Sequence, residues 1–201
     1  MAWRSRLPVL VVGAAVVGGL VGGWALSRAV LGDSSDSDDI GVSGVDEVVL
    51  DEPGEYQEPV DGENRDVDGD RLPDVALSTA AGLEIPASSL AGQPLVVNLW
   101  YSTCIPCKRE LGEFATVHRE LGDRVRFVGV NPFDSVEVME RFASDRGVGY
   151  ELLRDETSAF VNALGVVNFP VTLFVDGDGV IVAQTGEIDG DALRARIGEL
   201  F

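Results

Sequence analysis

The chain has 201 residues, with 34 Asp and Glu against 15 Lys and Arg, a formal net charge of −19. That balance repels phosphates and excludes a nucleic-acid partner held by a basic surface. The length allows one domain with appendages, and the part from residue 75 onward is long enough to bury a core of its own.

Leu7 to Leu26 is a run of twenty uncharged, mostly apolar residues. At about 1.5 Å rise per residue a helix of this length matches the ~30 Å hydrocarbon layer of a bilayer. Arg4 and Arg6 precede the run and an acidic stretch follows Arg28. By the positive-inside rule the N-terminus stays in the cytoplasm and the rest is exported. Residues 1–31 are therefore expected to be a cytoplasmic N-terminus and transmembrane signal anchor. The C-terminal domain of a single-pass membrane protein then lies outside the cytoplasm. A cleaved signal peptide is the alternative, but the run exceeds a usual signal core and Ala25-Leu26-Ser27 is a poor cleavage triplet.

Residues 32–71 are expected to be an acidic, disordered linker. Residues 33–74 hold sixteen acids against Arg65 and Arg71, with few large apolar groups to offset the entropy of ordering. Val48-Val49-Leu50 is an apolar patch within it, a candidate docking strand. Asp66, Asp68, Asp70 and Asp74 fall at positions 1, 3, 5 and 9 of a calcium-loop spacing. Position 12 is Leu77 rather than a bidentate glutamate, so the spacing is a weak metal signal beside the reading as acidic linker. No metal is assigned.

The pattern then changes to that of a folded domain over 72–201. Val75-Ala76-Leu77 and Gly82-Leu83-Glu84-Ile85 predict a short opening hairpin turning at Ala80-Ala81-Gly82. Leu95–Trp100 is near-continuously apolar, as in a strand covered on both faces. Immediately after it come Cys104 and Cys107, the only cysteines of the chain.

Ile105–Leu121 has Leu111, Phe114, Val117 and Leu121 at helical spacing. The pair thus sits where a strand feeds a helix. There the free N–H groups and the dipole favour thiolate on the first sulfur, the form that attacks disulfides. A zinc site would need two further Cys or His ligands, and the chain offers only His118. A purely structural disulfide would close a very short loop and remove little chain entropy. A redox pair is the stronger reading.

Val125–Val130 predicts the next buried strand. Ser135–Arg146 predicts a helix capped by Ser135 and stopped at Gly147. Tyr150–Leu153 is a short strand candidate, and Glu156–Leu164 a helix ending at Gly165. Val171–Val175 and Val180–Gln184 flank Asp176-Gly177-Asp178-Gly179, a strong hairpin signal. Asp189–Leu200 closes the chain as a helix. Strands alternating with helices, then a hairpin, predict an α/β fold with helices on both faces of a central sheet.

Four segments resemble the thioredoxin superfamily, and within it the membrane-anchored TlpA/ResA-like branch. They are Leu72-Pro73-Asp74-Val75-Ala76-Leu77, Val96–Trp100 followed by Cys104-Ile105-Pro106-Cys107-Lys108-Arg109-Glu110, Val128-Gly129-Val130-Asn131, and Phe169-Pro170-Val171-Thr172. The resemblance spans roughly residues 72–201 and implies a thioredoxin-like fold with a central mixed sheet. It implies that Cys104 is an exposed attacking thiolate and Cys107 a more buried resolving thiol, the two forming a redox-active disulfide. Pro106 then shapes the backbone between them without removing the Cys107 N–H. A cis Phe169–Pro170 bond would face the cysteines and leave the residue 169 backbone open to a peptide.

Glu110, three residues past Cys107, is a candidate acceptor for the Cys107 proton, with a solvated helix glutamate as the alternative. Trp100 and Phe169 are candidate walls of the site, although an aromatic in a buried strand is more often core. Thr103 stands where thioredoxins usually carry Trp, which changes the surface offered to a partner. Asn98 replaces the buried acid of cytosolic thioredoxins and is no proton acceptor. His118, about three turns beyond Cys107, reads as a surface or packing residue.

The activity implied is that of an extracytoplasmic thiol–disulfide oxidoreductase without a cofactor. Its partners would be protein thiols or disulfides and a membrane thiol electron donor. A reductant, for example toward the cysteines of apocytochrome c in cytochrome c biogenesis, is favoured over an oxidant or isomerase for secreted proteins. Weaker alternatives are a thiol peroxidase and a copper-binding chaperone. The first would need Thr or Ser where Tyr101 stands, and the second a C-x-x-x-C with a distal His.

Overall fold

The computed structural model describes residues 53–201. The anchor expected over 7–26 and the patch Val48-Val49-Leu50 lie outside the described residues. No helix among the described residues is long and apolar enough to cross a membrane.

The strands of the described residues are β1 (Ala76–Thr79), β2 (Glu84–Pro86), β3 (Leu95–Leu99), β4 (Arg126–Asn131), β5 (Glu151–Arg154), β6 (Val171–Val175) and β7 (Ile181–Thr185). These seven form one mixed sheet in the order β2-β1-β5-β4-β3-β6-β7. The helices are α1 (Ile105–Leu121), α2 (Val136–Ser144), α3 (Ala159–Leu164) and α4 (Gly190–Leu200). A 3-10 turn over Ala87–Leu90 follows β2.

Strand β3 lies at the centre, parallel to β4 and antiparallel to β6, and all five of its residues are buried. Its alternation divides the core. Leu95, Val97 and Leu99 join Val128, Val130 and Leu173 against the 3-10 turn and α3. Val96 and Phe174 face the other way, onto Phe114 and Val117 of α1 and Leu193 and Ile197 of α4. Trp100 continues that second face and packs with Met139 and Ala143 of α2. Helices thus cover both faces, as the alternating pattern requires.

Caps set the helix bounds. Ser135 Oγ accepts the Val138 N–H at 3.3 Å, and Asp189 Oδ1 accepts that of Ala192 at 2.8 Å. Helix α3 starts three residues later than the predicted Glu156. The reason is Asp155, which is fully buried and accepts the N–H groups of Phe160 and Val161 at 3.1 and 2.9 Å. Gly165 ends that helix at φ +66°, where a glycine carries no Cβ penalty.

The disordered linker expected over 32–71 is corrected for its described part. Residues 53–71 run along the domain. Gly69 N–H donates to the Ile181 carbonyl and Ile181 N–H to that of Asp70, each at 2.8 Å, and Leu72 N–H donates to that of Gly179 at 2.9 Å. These bonds occupy the outer edge of β7. Val67 enters the core, while Asp66, Asp68 and Asp70 stay exposed. Net charge therefore does not oppose ordering here: the carboxylates face water, and the backbone groups that meet β7 are paired rather than buried without partners.

Candidate active site

The loop from β3 to α1 is held from beneath. The carboxylate of Asp134, fully buried, accepts the Ser102 N–H and the Ser102 hydroxyl, each at 2.6 Å, and the Asn131 amide at 2.7 Å. Asn131 Oδ1 in turn accepts the N–H groups of Phe133 and Asp134 at 3.1 and 2.9 Å. This lattice fixes Ser102 two residues before Cys104. Sequence reasoning missed Asp134; the polar turn Asn131-Pro132-Phe133-Asp134-Ser135 before α2 was its only signal.

Cys104 is the N-cap of α1 and is bonded to Cys107, with Cα atoms 5.3 Å apart. The Cys107 N–H donates to Cys104 Sγ at 3.2 Å. Pro106, in the first turn, removes no needed donor. When the pair is reduced, this N–H and the positive end of α1 favour negative charge on Cys104.

The expectation of an exposed Cys104 is corrected. The residue is only 2% exposed and lies among the residues that line an open cleft. Tyr101 and Pro106 line the cleft on the motif side, and Val167, Asn168 and Phe169 on the other. The remaining wall, Tyr56–Pro59, comes from the segment read as linker.

Phe169–Pro170 is a cis peptide bond. Phe169 lies edge-on to Tyr101 and Phe133, with ring centroids 5.3 and 5.6 Å away. Among the described residues its backbone N–H and C=O have no hydrogen-bond partner. Phe169 is thus a wall of the cleft. Trp100 is not: it is fully buried, stacked on Phe142 at 5.7 Å. The strand aromatic is core because its face of β3 is roofed by α2.

Glu110 projects from α1 into the sheet and is 2% exposed. One carboxylate oxygen accepts the Asn98 amide at 2.8 Å, and the other the Ile188 N–H at 3.1 Å. Burial pushes its pKa up to about 7, against the lowering effect of those two bonds. Asn98 therefore serves as a donor to this carboxylate. His118 sits edge-on to Phe127 and Tyr150, each 5.4 Å away, and is a packing residue.

The Thr103 hydroxyl donates to the Gly54 carbonyl at 2.9 Å, so part of this position faces the chain itself rather than a partner. The calcium-like carboxylates do not converge. Asp66 caps the Asp68 N–H, Asp70 pairs with Arg65 at 2.6 Å, and Asp74 accepts the Ser88 hydroxyl at 2.6 Å. Among the described residues no three acid, His or Cys side chains are grouped to hold a metal ion.

The AhpC/TSA family model matches residues 69–184, more than half of the chain. The chain belongs to the AhpC/TSA family. Within this AhpC/TSA chain, 119 residues are 29% identical to the thioredoxin-like protein YneN of Bacillus subtilis, covering 57% of this chain and 68% of that protein. The thiol-disulfide oxidoreductase ResA of Geobacillus thermodenitrificans is 28% identical over 116 residues, covering 56% and 66%. The chain thus matches about two thirds of these relatives' own lengths.

Among solved structures, that of MTB dsbF superposes with a TM-score of 0.58 at 28% identity, covering 64% of this chain and 96% of that one. A secreted Mycobacterium tuberculosis disulfide oxidoreductase gives 0.56 at 25% identity, covering 63% and 96%. The fold is thioredoxin-like, and the matched region is a thiol–disulfide oxidoreductase domain of that superfamily.

Proposed function

We propose that the chain is a membrane-tethered, extracytoplasmic disulfide reductant. The observation that carries its thiol–disulfide chemistry is the placement of Cys104 at the head of α1 with Glu110 buried one turn beyond Cys107. In the reduced form the Cys104 thiolate attacks a substrate disulfide. A mixed disulfide forms and the other substrate sulfur leaves as a thiolate. Cys107 then loses its proton and attacks Cys104 Sγ, which releases the second substrate thiolate and closes the Cys104–Cys107 disulfide. The substrate gains two electrons and the dithiol loses two.

Glu110, poised near neutrality, takes up the Cys107 proton. Pro170 and Phe169 present the unpaired residue 169 backbone to the incoming polypeptide. The apolar, positively flanked run over 7–26 supports the tether and the outer location. A domain so placed needs a membrane thiol donor to recharge it, and confinement raises the effective concentration of that donor. Cysteines of apocytochrome c are substrates of the right chemistry.

The test uses the full chain with dithiothreitol and insulin. Cys104→Ser abolishes reduction, and Cys107→Ser accumulates mixed disulfides whose partners can be identified. Activity retained in Cys104→Ser sinks the mechanism. Equilibration with glutathione buffers decides direction: a potential below about −220 mV fits a reductant, and one near about −120 mV an oxidant.

The family match keeps peroxide reduction as the second reading. Against it, Tyr101 stands three residues before Cys104, and its hydroxyl is engaged with Gln57. Hydroperoxide consumption by the reduced chain would favour it.

A further inference from the structure

The segment from Gly54 to Asn64 bridges the two sides of the cleft. At one end the Gly54 N–H donates to Asp134 at 2.8 Å, and its carbonyl accepts the Thr103 hydroxyl at 2.9 Å. Gln57 exchanges two hydrogen bonds with the Tyr101 hydroxyl, at 3.2 and 3.3 Å. At the other end Val60 N–H donates to the Asn168 side chain at 3.1 Å, and Asn168 donates to the Gly62 carbonyl at 2.9 Å. Asn64 Oδ1 accepts the N–H groups of both Val167 and Asn168 at 2.8 Å, while Asn64 Nδ2 donates to the Asn168 carbonyl at 2.8 Å. Between these anchors lie Tyr56–Pro59, beside Cys104.

Two properties of the surround define what fits. First, the cleft is walled by Tyr56–Pro59 on one side and Val167, Asn168 and Phe169 on the other, and Cys104 between them is only 2% exposed. A disulfide on a flat, folded surface cannot reach it; a side chain on an extended segment can. Second, Tyr56 and Val167 of the lining are exposed apolar groups, and so are Val60 and Ile105, the chain neighbours of Pro59 and Cys104. The bridging segment adds Glu55, Glu58, Asp61 and Glu63, with no Lys or Arg between 53 and 64. On α1, just after the cysteine pair, Arg109 is engaged bidentately by Glu187 at 2.7 Å, leaving Lys108 as the nearby cation in the sequence. The field beside Cys104 on the Glu55–Glu58 side is therefore negative.

We infer that Tyr56–Pro59 form a substrate-selecting wall, and that the preferred substrate is an extended polypeptide whose cysteine has apolar and basic neighbours. The inference rests on Cys104 as the attacking sulfur. The wall contributes surface that the substrate must contact on its way to that sulfur, and its carboxylates attract cationic flanks before docking.

The test uses the full, reduced chain and two synthetic peptides, each with one cysteine disulfide-bonded to 2-mercaptoethanol. One peptide has lysines flanking an otherwise apolar cysteine segment, and the other has glutamates. Each reaction yields two thiols and the oxidised Cys104–Cys107 pair. The lysine peptide reacts about tenfold faster at low ionic strength, and the ratio shrinks as salt is added. In Glu55→Gln/Glu58→Gln the ratio falls to below about threefold. Because the ratio is taken within one protein, it is independent of any overall change in rate. Equal rates for the two peptides, or a ratio untouched by the double substitution, overturn the inference. Bis(2-hydroxyethyl) disulfide, small and uncharged, separates the two levels. If it reacts with the chain and the peptides do not differ, the wall alone is wrong. If it fails to react, the redox reading falls and takes the inference with it.

Discussion

The Asn98 amide donates to Glu110 at 2.8 Å inside the sheet–helix interface, so this buried carboxylate one turn beyond Cys107 is held by a neutral partner. Burial dominates and its pKa stands near 7, above its ordinary 4.5. A raised carboxylate pKa means the folded state keeps a proton that the unfolded chain releases. Stability attributable to this group therefore falls as pH rises from 4.5 to about 7 and is flat above that. The loss is roughly 3 kcal/mol over the window. Urea denaturation of the wild type and Glu110→Gln across this range should show the decline only in the wild type. Parallel slopes would mean that Glu110 titrates normally.

Removing the Asp134 carboxylate leaves the Ser102 N–H, the Asn131 amide and the Gly54 N–H without their acceptor. Unpaired buried donors cost about 1–3 kcal/mol each. Asp134→Ala is expected to destabilise the chain by at least about 3 kcal/mol. Thermal and urea unfolding measure the loss, and hydrogen exchange should show early opening at Ser102.

A Cβ on Gly129 would lie 2.8 Å from both Trp100 Nε1 and Leu152 Cδ2. These are side-chain atoms of a packed core, so the contact is relieved only by rotamer shifts. Gly129→Ala should cost about 1–3 kcal/mol and change the Trp fluorescence. An unchanged midpoint would show that the α2 side of the core is loosely packed.

Asn64→Ala removes the acceptor for two backbone N–H groups and a donor to a third group. The expected cost is about 1–3 kcal/mol, concentrated at the loop before Pro170. Faster exchange at Val167 and Asn168, with the β3 amides unaffected, is the signature. Uniform loss of protection would instead mean that the segment supports the whole fold.

Local pattern reached far in this chain. Helix α1 starts and ends where periodicity placed it, because Leu111, Phe114 and Val117 bury one stripe and Cys104 caps its first turn. The continuous apolar run of β3 announced a strand covered on both faces, and the terminal hairpin followed from Asp176-Gly177-Asp178-Gly179. Glu156 misled because the initiating carboxylate of α3 is its buried neighbour Asp155. Composition misled over 53–71, where the average charge hid Asn64 and Val67: one side-chain amide bonding three backbone groups, and one apolar residue reaching the core.

The cysteine pair, its place between strand and helix, and Glu110 one turn on were readable from sequence, since each depends on spacing along a single element. The burial of Cys104, the retreat of Trp100 into the core, the Asp134 lattice and the wall of Tyr56–Pro59 were not. Those depend on segments tens of residues apart meeting in space, and hydrogen bonds such as Gly54 to Asp134, 80 positions apart, leave no local pattern. Sequence determined the chemistry that the two sulfurs can do; tertiary structure decided how a substrate must be shaped to reach them.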